Sequence, residues 1–262
     1  MSILYFIIGL FASTLGAIAG LGGGVIIKPV LDLFAHFDLP TIGILSAATV
    51  LSMATVSLFK CSTNKDIKIN KVTSSVIAAG SILGGIAGKA IFNLITISLN
   101  IPTITAIIQS AILGMVLILI YIYFKKKHKL ISFIIENKIM ILGVGFSLGF
   151  LSAFLGIGGG PLNIAVLCLL FSMTIKEAGI NSIFIIFFSQ LSALVLIAFT
   201  TGYGNSDLSM LFYMVPGGVL GGIIGSNFVM KLTNMQVEKV FNISILIIIC
   251  LNLYNIVMGA CF

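Results

Sequence analysis

The chain has 262 residues, of which 59% are hydrophobic and only 8% are charged, and its mean hydropathy is +1.25. Because a water-soluble protein carries about 25% charged residues, this composition excludes a soluble globular protein and predicts a helical protein with several membrane crossings. The formal net charge of +7 does not indicate nucleic-acid binding, because most of the lysines lie at the boundaries of apolar segments. They are better explained as signals of membrane topology.

Apolar segments long enough to cross about 30 Å of hydrocarbon recur along the whole chain. They lie at residues 2–35, 41–59, 72–97, 102–124, 139–171, 178–200, 209–230 and 240–262. The first and the fifth, each about 33 residues or roughly 50 Å as a helix, are too long for one crossing, and both contain a glycine cluster. Glycine permits a tight reversal, so each is predicted to fold back as a hairpin with arms of about 17 and 11 residues.

The distribution of lysines supports the hairpin interpretation. Twelve of them lie near the ends of apolar segments: Lys60, Lys65, Lys68, Lys71, Lys125, Lys126, Lys127, Lys129, Lys138, Lys176, Lys231 and Lys239. If the first and fifth segments return to their starting side, all twelve lie on one side, which the positive-inside rule assigns to the cytoplasm. The loops at 36–40, 98–101 and 201–208 contain no lysine. We therefore expect a multi-pass protein of the cell (inner) membrane with both termini outside.

The two halves of the chain repeat one another at a shift of 136 residues, which brings Gly22–Gly24 onto Gly158–Gly160. The pattern predicts a first membrane repeat at 1–124, a basic cytoplasmic linker at 125–138 and a second membrane repeat at 139–262. Each repeat is a glycine-rich broken-helix hairpin followed by three transmembrane helices, so the predicted fold is all-α. Because the first repeat starts outside and the second starts inside, their topologies are inverted, as in many secondary transporters.

The glycine clusters are the first candidates for a substrate site. Backbone that leaves helical geometry inside a bilayer must be satisfied by protein or must line a wet cavity, and each second arm starts a helix whose N–H groups favour an anion. The predicted binding residues here are Gly22, Gly23, Gly24, Gly158, Gly159 and Gly160. The alternative is that these glycines only allow close helix packing, which is the favoured role of the glycines spaced four apart within 80–88 and 217–225.

Two lysines are not explained by topology. Lys28 lies one turn after the first glycine cluster and Lys89 follows Gly88. Lysine at membrane depth is a functional candidate because it is costly unless paired or hydrated, so both are predicted to bind an anionic substrate. The alternatives are an ion pair between Lys28 and Asp32 and snorkelling of Lys89 to the surface. Asp32 is either that partner or a site of possible proton coupling.

Uncharged polar residues near the hairpins complete the predicted site. Ser46, Asn163 and Ser182 are predicted to hydrogen-bond the oxygens of an oxyanion, and Asn181 and Gln190 are further candidates. Catalytic, metal and cofactor sites are all predicted to be absent, because the cysteines and histidines lack metal-ligand spacing and no nucleophile lies with an embedded base. An intramembrane enzyme is thus disfavoured. Embedded charge at duplicated helix breaks also argues against a non-transporting scaffold subunit, so the expected partners are a small anion and the bilayer.

Two copies of a GxGGG motif, each followed at a fixed distance by GxxS, carry a resemblance to a known family. The copies are Gly20–Gly24 with Gly43 and Ser46, and Gly156–Gly160 with Gly179 and Ser182. The chain resembles the TauE/SafE sulfite exporter family of permeases (TSUP, the 4-toluene sulfonate uptake permease family). The resemblance implies secondary transport of sulfur-containing anions such as sulfite, thiosulfate or organosulfonates. The residues themselves do not distinguish these from another small anion such as a carboxylate.

Overall fold

The computed structural model of the protein describes residues 2–34, 36–62, 70–94, 102–127, 132–155, 158–200, 202–204 and 206–261. This part of the chain is helical apart from turns and one isolated bridge between Ile134 and Phe171. Its helices are α1 (Ser2–Ala19), α2 (Gly24–Phe34), α3 (Leu39–Ser62), α4 (Lys71–Asn93), α5 (Pro102–Lys126), α6 (Lys138–Leu155), α7 (Gly160–Leu170), α8 (Ile175–Phe199), α9 (Leu211–Lys231) and α10 (Asn234–Cys261). Eight of the described helices are long and apolar enough to cross a membrane, which confirms the predicted all-α polytopic fold.

Glycine turns break the two longest apolar segments into hairpins. The arms α1 and α2 have 18 and 11 residues, as do α6 and α7, close to the lengths predicted. In the first turn Gly20, Gly22 and Gly23 have φ values of 70°, 82° and 72°. In the second turn Gly158 and Gly159 have φ values of 72° and 77°. Residues with a Cβ rarely adopt this left-handed backbone, so the glycines make both reversals possible.

Two pairs of helices pack with their backbones in contact. The contacts are made by Gly217, Gly221 and Gly225 of α9 against α1, and by Gly80, Gly84 and Gly88 of α4 against α6. A methyl group on Gly84 would overlap the carbonyl oxygen of Phe146, so a larger residue fits only if the helices move apart. The contacts advance in the same direction along both helices of each pair, which therefore run parallel. The packing role predicted for these glycines is confirmed.

The two halves of the chain are interleaved in the bundle. α9, from the second half, packs against both α1 and α3, where Gly222 lies against the backbone of Met53. α6, also from the second half, packs against α4 of the first. Helices of one half thus complete the packing of the other. The inverted orientation of the repeats stays a prediction, and two parts of the predicted motif and linker, Gly156 and residues 128–131, lie outside the described residues.

The start of α8 differs from the segment predicted to begin at residue 178. α8 begins at Ile175 because Thr174 caps it: the Thr174 hydroxyl accepts a hydrogen bond from the Glu177 N–H at 3.4 Å. The Glu177 carboxylate in turn accepts one from the Thr174 N–H at 2.9 Å. This reciprocal capping box satisfies two N–H groups at the helix start. The helix therefore begins in polar residues that precede the apolar segment.

Candidate functional site

A cavity of about 80 Å³ lies between α3, α4, α6 and α8. Gly24, at the start of α2, and Gly158, in the second glycine turn, form part of its wall. The remaining wall comes from the first half of α3, the last turns of α4 and α6, and the second half of α8. The cavity therefore lies in the half of the bundle near the lysine-free loops. A space of this size holds several water molecules or one small ion.

Lys89 supplies the positive charge of this cavity. Its side chain is half-buried and lines the cavity, with Nζ 4.6 Å from the centre of the Phe92 ring. Among the described residues, no carboxylate lines the cavity, and no hydrogen-bond acceptor or ion-pair partner reaches the Lys89 ammonium. An ammonium group at this depth without a counter-charge favours an anion beside it.

Three buried polar side chains add hydrogen-bonding groups to the same cavity. Gln190, Ser46 and Ser152 are 8%, 4% and 5% exposed, and each lines the cavity. None of their side chains has a hydrogen-bond partner within the described chain. The Gln190 amide faces the second glycine turn, where a Cβ on Gly158 would lie 2.8 Å from Nε2. Because buried polar groups are normally paired, these groups are available to a ligand.

Ser152 was not among the residues predicted from the sequence. It lies in α6, near the second glycine turn, where its hydroxyl is 3.0 Å from the position that a Cβ on Gly159 would occupy. Its equivalent in the first half, 136 residues earlier, is Gly16. The duplication therefore aligns Ser152 with a residue that has no side chain. A comparison of the two halves thus does not identify this position as a polar site. Its position near the turn is the one sequence feature that indicates it.

Lys28 does not line the cavity, and its side chain contacts the end of α6 instead. Its Nζ donates hydrogen bonds to Oε1 of Gln109 at 2.6 Å and to the carbonyl oxygen of Leu155 at 2.8 Å. Gln109 in turn donates from Nε2 to the carbonyl oxygen of Phe154. The last carbonyl groups of a helix have no partner inside it, and a cation there also interacts favourably with the helix dipole. In this structure, Lys28 satisfies and neutralises the C-terminal end of α6.

Asp32 does not form an ion pair with Lys28. No described salt bridge joins the two residues, and Oδ1 of Asp32 is buried without a hydrogen-bond partner. Asp32 also does not line the cavity. The pairing that the helical spacing of Lys28 and Asp32 suggested is thus absent from the described residues, because the ammonium group is directed to the end of α6 instead. A role for Asp32 in proton coupling stays a prediction.

The structure brings together four of the predicted binding residues, which are Gly24, Ser46, Lys89 and Gly158. The others lie beside the cavity or further from it: Gly22, Gly23, Lys28, Gly159, Gly160, Asn163 and Ser182. Several of these hold the two glycine turns in place. The Ser182 hydroxyl donates to the carbonyl oxygen of Gly20 at 2.9 Å, and Gly160 lies directly against the carbonyl oxygen of Leu21. The two turns are therefore in contact.

The helix starts contribute fewer free N–H groups than the sequence suggested. Gly24 donates its N–H to the carbonyl oxygen of Gly22 at 2.9 Å, and Ile26 and Ile27 both donate to the carbonyl oxygen of Gly23 at 2.9 Å. α7 carries proline at its second position, which has no N–H to donate. The donors that face the cavity are thus mainly side chains. No group of three or more histidine, cysteine, aspartate or glutamate residues in the described chain could hold a metal ion.

Comparisons with known proteins agree with this architecture. The sequence matches the family model described as "Sulfite exporter TauE/SafE" over residues 5–253. It is 26% identical to the probable membrane transporter protein YunE of Bacillus subtilis (strain 168), across 97% of both chains. It is also 28% identical to the probable membrane transporter protein MJ0441 of Methanocaldococcus jannaschii, across 76% of this chain and 74% of that protein. No solved structure gives a significant match.

The family match and the match to YunE extend over nearly the whole chain, and the family match includes both glycine turns and all the helices that line the cavity. The relatives are named as transporters rather than as enzymes, and the described helices include eight candidate membrane spans. The chain is therefore a multi-pass membrane transporter that belongs to the TauE/SafE sulfite exporter family.

Proposed function

We propose that the protein is a secondary transporter of small sulfur oxyanions, with sulfite or thiosulfate as its substrate, and that the substrate binds in the cavity beside Lys89. The observation that carries this proposal is the set of unpartnered groups at the cavity. They include one ammonium, one buried amide and two buried hydroxyls, and no carboxylate is among the described lining residues. The family supports sulfur as the central atom, which the donors alone do not specify.

The chemistry of the cavity suits a compact oxyanion. Lys89 offsets the negative charge, and charge-assisted hydrogen bonds are about twice as strong as neutral ones. The Gln190 amide and the hydroxyls of Ser46 and Ser152 can donate to the remaining oxygens. A cation would meet the Lys89 ammonium without any counter-charge. The volume of about 80 Å³ favours an inorganic anion over a bulky organosulfonate.

We propose alternating access as the transport mechanism. We infer that the first glycine turn closes the cavity on the side away from the lysine-free loops, because Ile186 and Val50 lie beside Gly22 and the Ser182 hydroxyl donates to the Gly20 carbonyl. Separating the first glycine turn from α8 would open a path to the other face. If the repeats are inverted, the second state is built from the equivalent residues. At the shift of 137 residues that brings Gly88 onto Gly225, Ser226 then occupies the position of Lys89. We place the lysine-rich face in the cytoplasm and both termini outside the inner membrane.

A small carboxylate is the second candidate substrate, because its oxygens would accept from the same donors. Purified protein in liposomes separates the two. We expect saturable flux of radiolabelled sulfite or thiosulfate, with weaker flux of acetate and none of sodium. The protein should be assayed with and without a pH gradient, since the gradient reports coupling to protons. Flux of acetate alone would contradict the sulfur substrate, and absence of any saturable anion flux would contradict the transport site itself.

A further inference from the structure

A second cavity, of about 640 Å³, lies at the opposite end of the bundle, at the lysine-rich face. Its walls come from the end of α5, the end of α7, the starts of α8 and α10, and Ser132 of the linker. It shares no described lining residue with the cavity beside Lys89. The proposed transport path does not use it, so its chemistry calls for a separate explanation.

The second cavity has a net positive lining. Nζ of Lys127 lies 3.3 Å from Oε2 of Glu238, and a further lysine, Lys239, is exposed and lines the same cavity. Tyr123 and Asn242 add polar groups; the Tyr123 hydroxyl has no hydrogen-bond partner among the described residues, and Oδ1 of Asn242 is buried without one. Two ammonium groups and one carboxylate leave one positive charge for a ligand to neutralise.

The rim of this cavity is held in a fixed and strained conformation. The linker runs along the end of α7: the Phe133 N–H donates to the Leu169 carbonyl at 2.8 Å. Ser172, with a φ of 50°, is the one described non-glycine residue with positive φ. Its hydroxyl donates to the Phe133 carbonyl oxygen at 3.1 Å and accepts a hydrogen bond from the Ser132 hydroxyl at 2.8 Å. Strained backbone of this kind persists where surrounding contacts fix it, and it is concentrated at binding sites.

Exposed apolar side chains surround the charged opening. Phe133, Ile134 and Met235 are 58%, 72% and 71% exposed. Met235 lines the cavity, Phe133 follows the lining residue Ser132, and Ile134 forms the bridge to Phe171, next to the lining residue Ser172. Large apolar groups next to lysines at the end of a helical bundle are typical of the boundary between hydrocarbon and headgroups. Basic pockets between transmembrane helices at this depth bind the headgroups of anionic lipids.

We propose that this second cavity binds a phosphate group, supplied by the headgroup of an anionic phospholipid. The phosphate oxygens accept hydrogen bonds from Lys127, Lys239 and the Tyr123 hydroxyl, while the acyl chains lie along Phe133 and Met235. Glu238 competes with the phosphate for Lys127, so its carboxylate lowers the affinity. Free inorganic phosphate presents the same group and is the alternative source, which the experiment distinguishes by competition.

The test measures retention of phosphatidylglycerol on the purified protein by native mass spectrometry, with phosphatidylcholine as the reference lipid. The double variant Lys127→Gln/Lys239→Gln should bind phosphatidylglycerol about 25-fold more weakly, at roughly fivefold per lysine. The control, Lys138→Gln/Lys231→Gln, removes the same charge from two exposed lysines outside the cavity and should bind as the unmodified protein does. Glu238→Gln should bind more tightly, a gain that misfolding does not produce.

Competition with inorganic phosphate identifies the source of the ligand. Retention of phosphatidylglycerol in millimolar phosphate supports the lipid headgroup as the natural ligand. Complete displacement, together with phosphate binding that is lost in Lys127→Gln/Lys239→Gln, overturns the lipid source and assigns the cavity to soluble phosphate. Equal affinity of the two double variants, or weaker binding by Glu238→Gln, overturns the phosphate site as a whole.

Discussion

Replacing Lys28 with methionine tests whether this lysine is a structural or a substrate-binding residue. The ammonium group donates to Gln109 and to the carbonyl oxygen of Leu155, and the residue is only 8% exposed. Each buried acceptor left without a donor costs about 1–3 kcal/mol. Burying the apolar methionine side chain in place of a charged one offsets part of this free-energy cost. We expect a net loss of about 2 kcal/mol in the free energy of unfolding, or roughly 5 °C in Tm.

The matched comparison is Lys89→Met, which makes the same substitution at a lysine without a described partner. We expect this variant to keep its Tm, because no protein hydrogen bond is lost, and to bind sulfite about 10- to 100-fold more weakly, the equivalent of one charged hydrogen bond. Thermal unfolding in detergent and calorimetric titration with sulfite measure the two quantities. If Lys28→Met kept its Tm and lost its affinity for sulfite, then Lys28 would be a substrate lysine and the assignment of roles would be wrong.

Three further experiments test the packing, binding and coupling roles of individual residues. Gly84→Ala should lower the free energy of unfolding by about 1–3 kcal/mol, because the added methyl group meets the backbone of α6. The control Gly143→Ala, which has open space at its Cβ position, should be neutral or stabilising. Equal Tm values for the two variants would contradict the close packing of α4 against α6. Gln190→Leu should weaken sulfite binding about tenfold, because leucine is similar in size to glutamine but has no amide donor. An unchanged affinity for sulfite in calorimetric titrations would exclude the contact between Gln190 and the anion. Asp32→Asn should leave sulfite affinity intact and abolish the response of flux to a pH gradient, and a preserved response would remove Asp32 from the coupling pathway.

The fold could be predicted from the sequence because its main signals are local. Segment length together with a glycine cluster requires a reversal whichever residues lie opposite, and the observed arms of 18 and 11 residues follow from that constraint. Glycines spaced four apart likewise predict close contact on one helix face. The identity of the partner helix is a different question. For example, α9 packs on α1, which is more than 200 positions away in the chain, and this pairing depends on the arrangement of all the helices in the bundle.

The site was only partly predictable, and the two embedded lysines show why. Both lie after glycines and have no charged equivalent in the second half, so the sequence does not show which of the two lines the cavity. The difference is made by the backbone carbonyls at the end of α6 and by Gln109, which is 81 positions from Lys28. Every residue has a backbone carbonyl, so the residue types do not show which carbonyl groups are available to a lysine. Lys89 has no such acceptor nearby among the described residues, and that makes it the cavity lysine.

A crystal structure with bound selenite would show whether the substrate anion binds beside Lys89, because selenite has the shape and charge of sulfite and selenium gives an anomalous signal. We expect one strong anomalous peak in the cavity between α3, α4, α6 and α8, within about 4 Å of Lys89 Nζ and close to the Gln190 amide. A peak beside Lys28, or a cavity that stays without selenium while selenite binds elsewhere on the protein, would contradict this expectation.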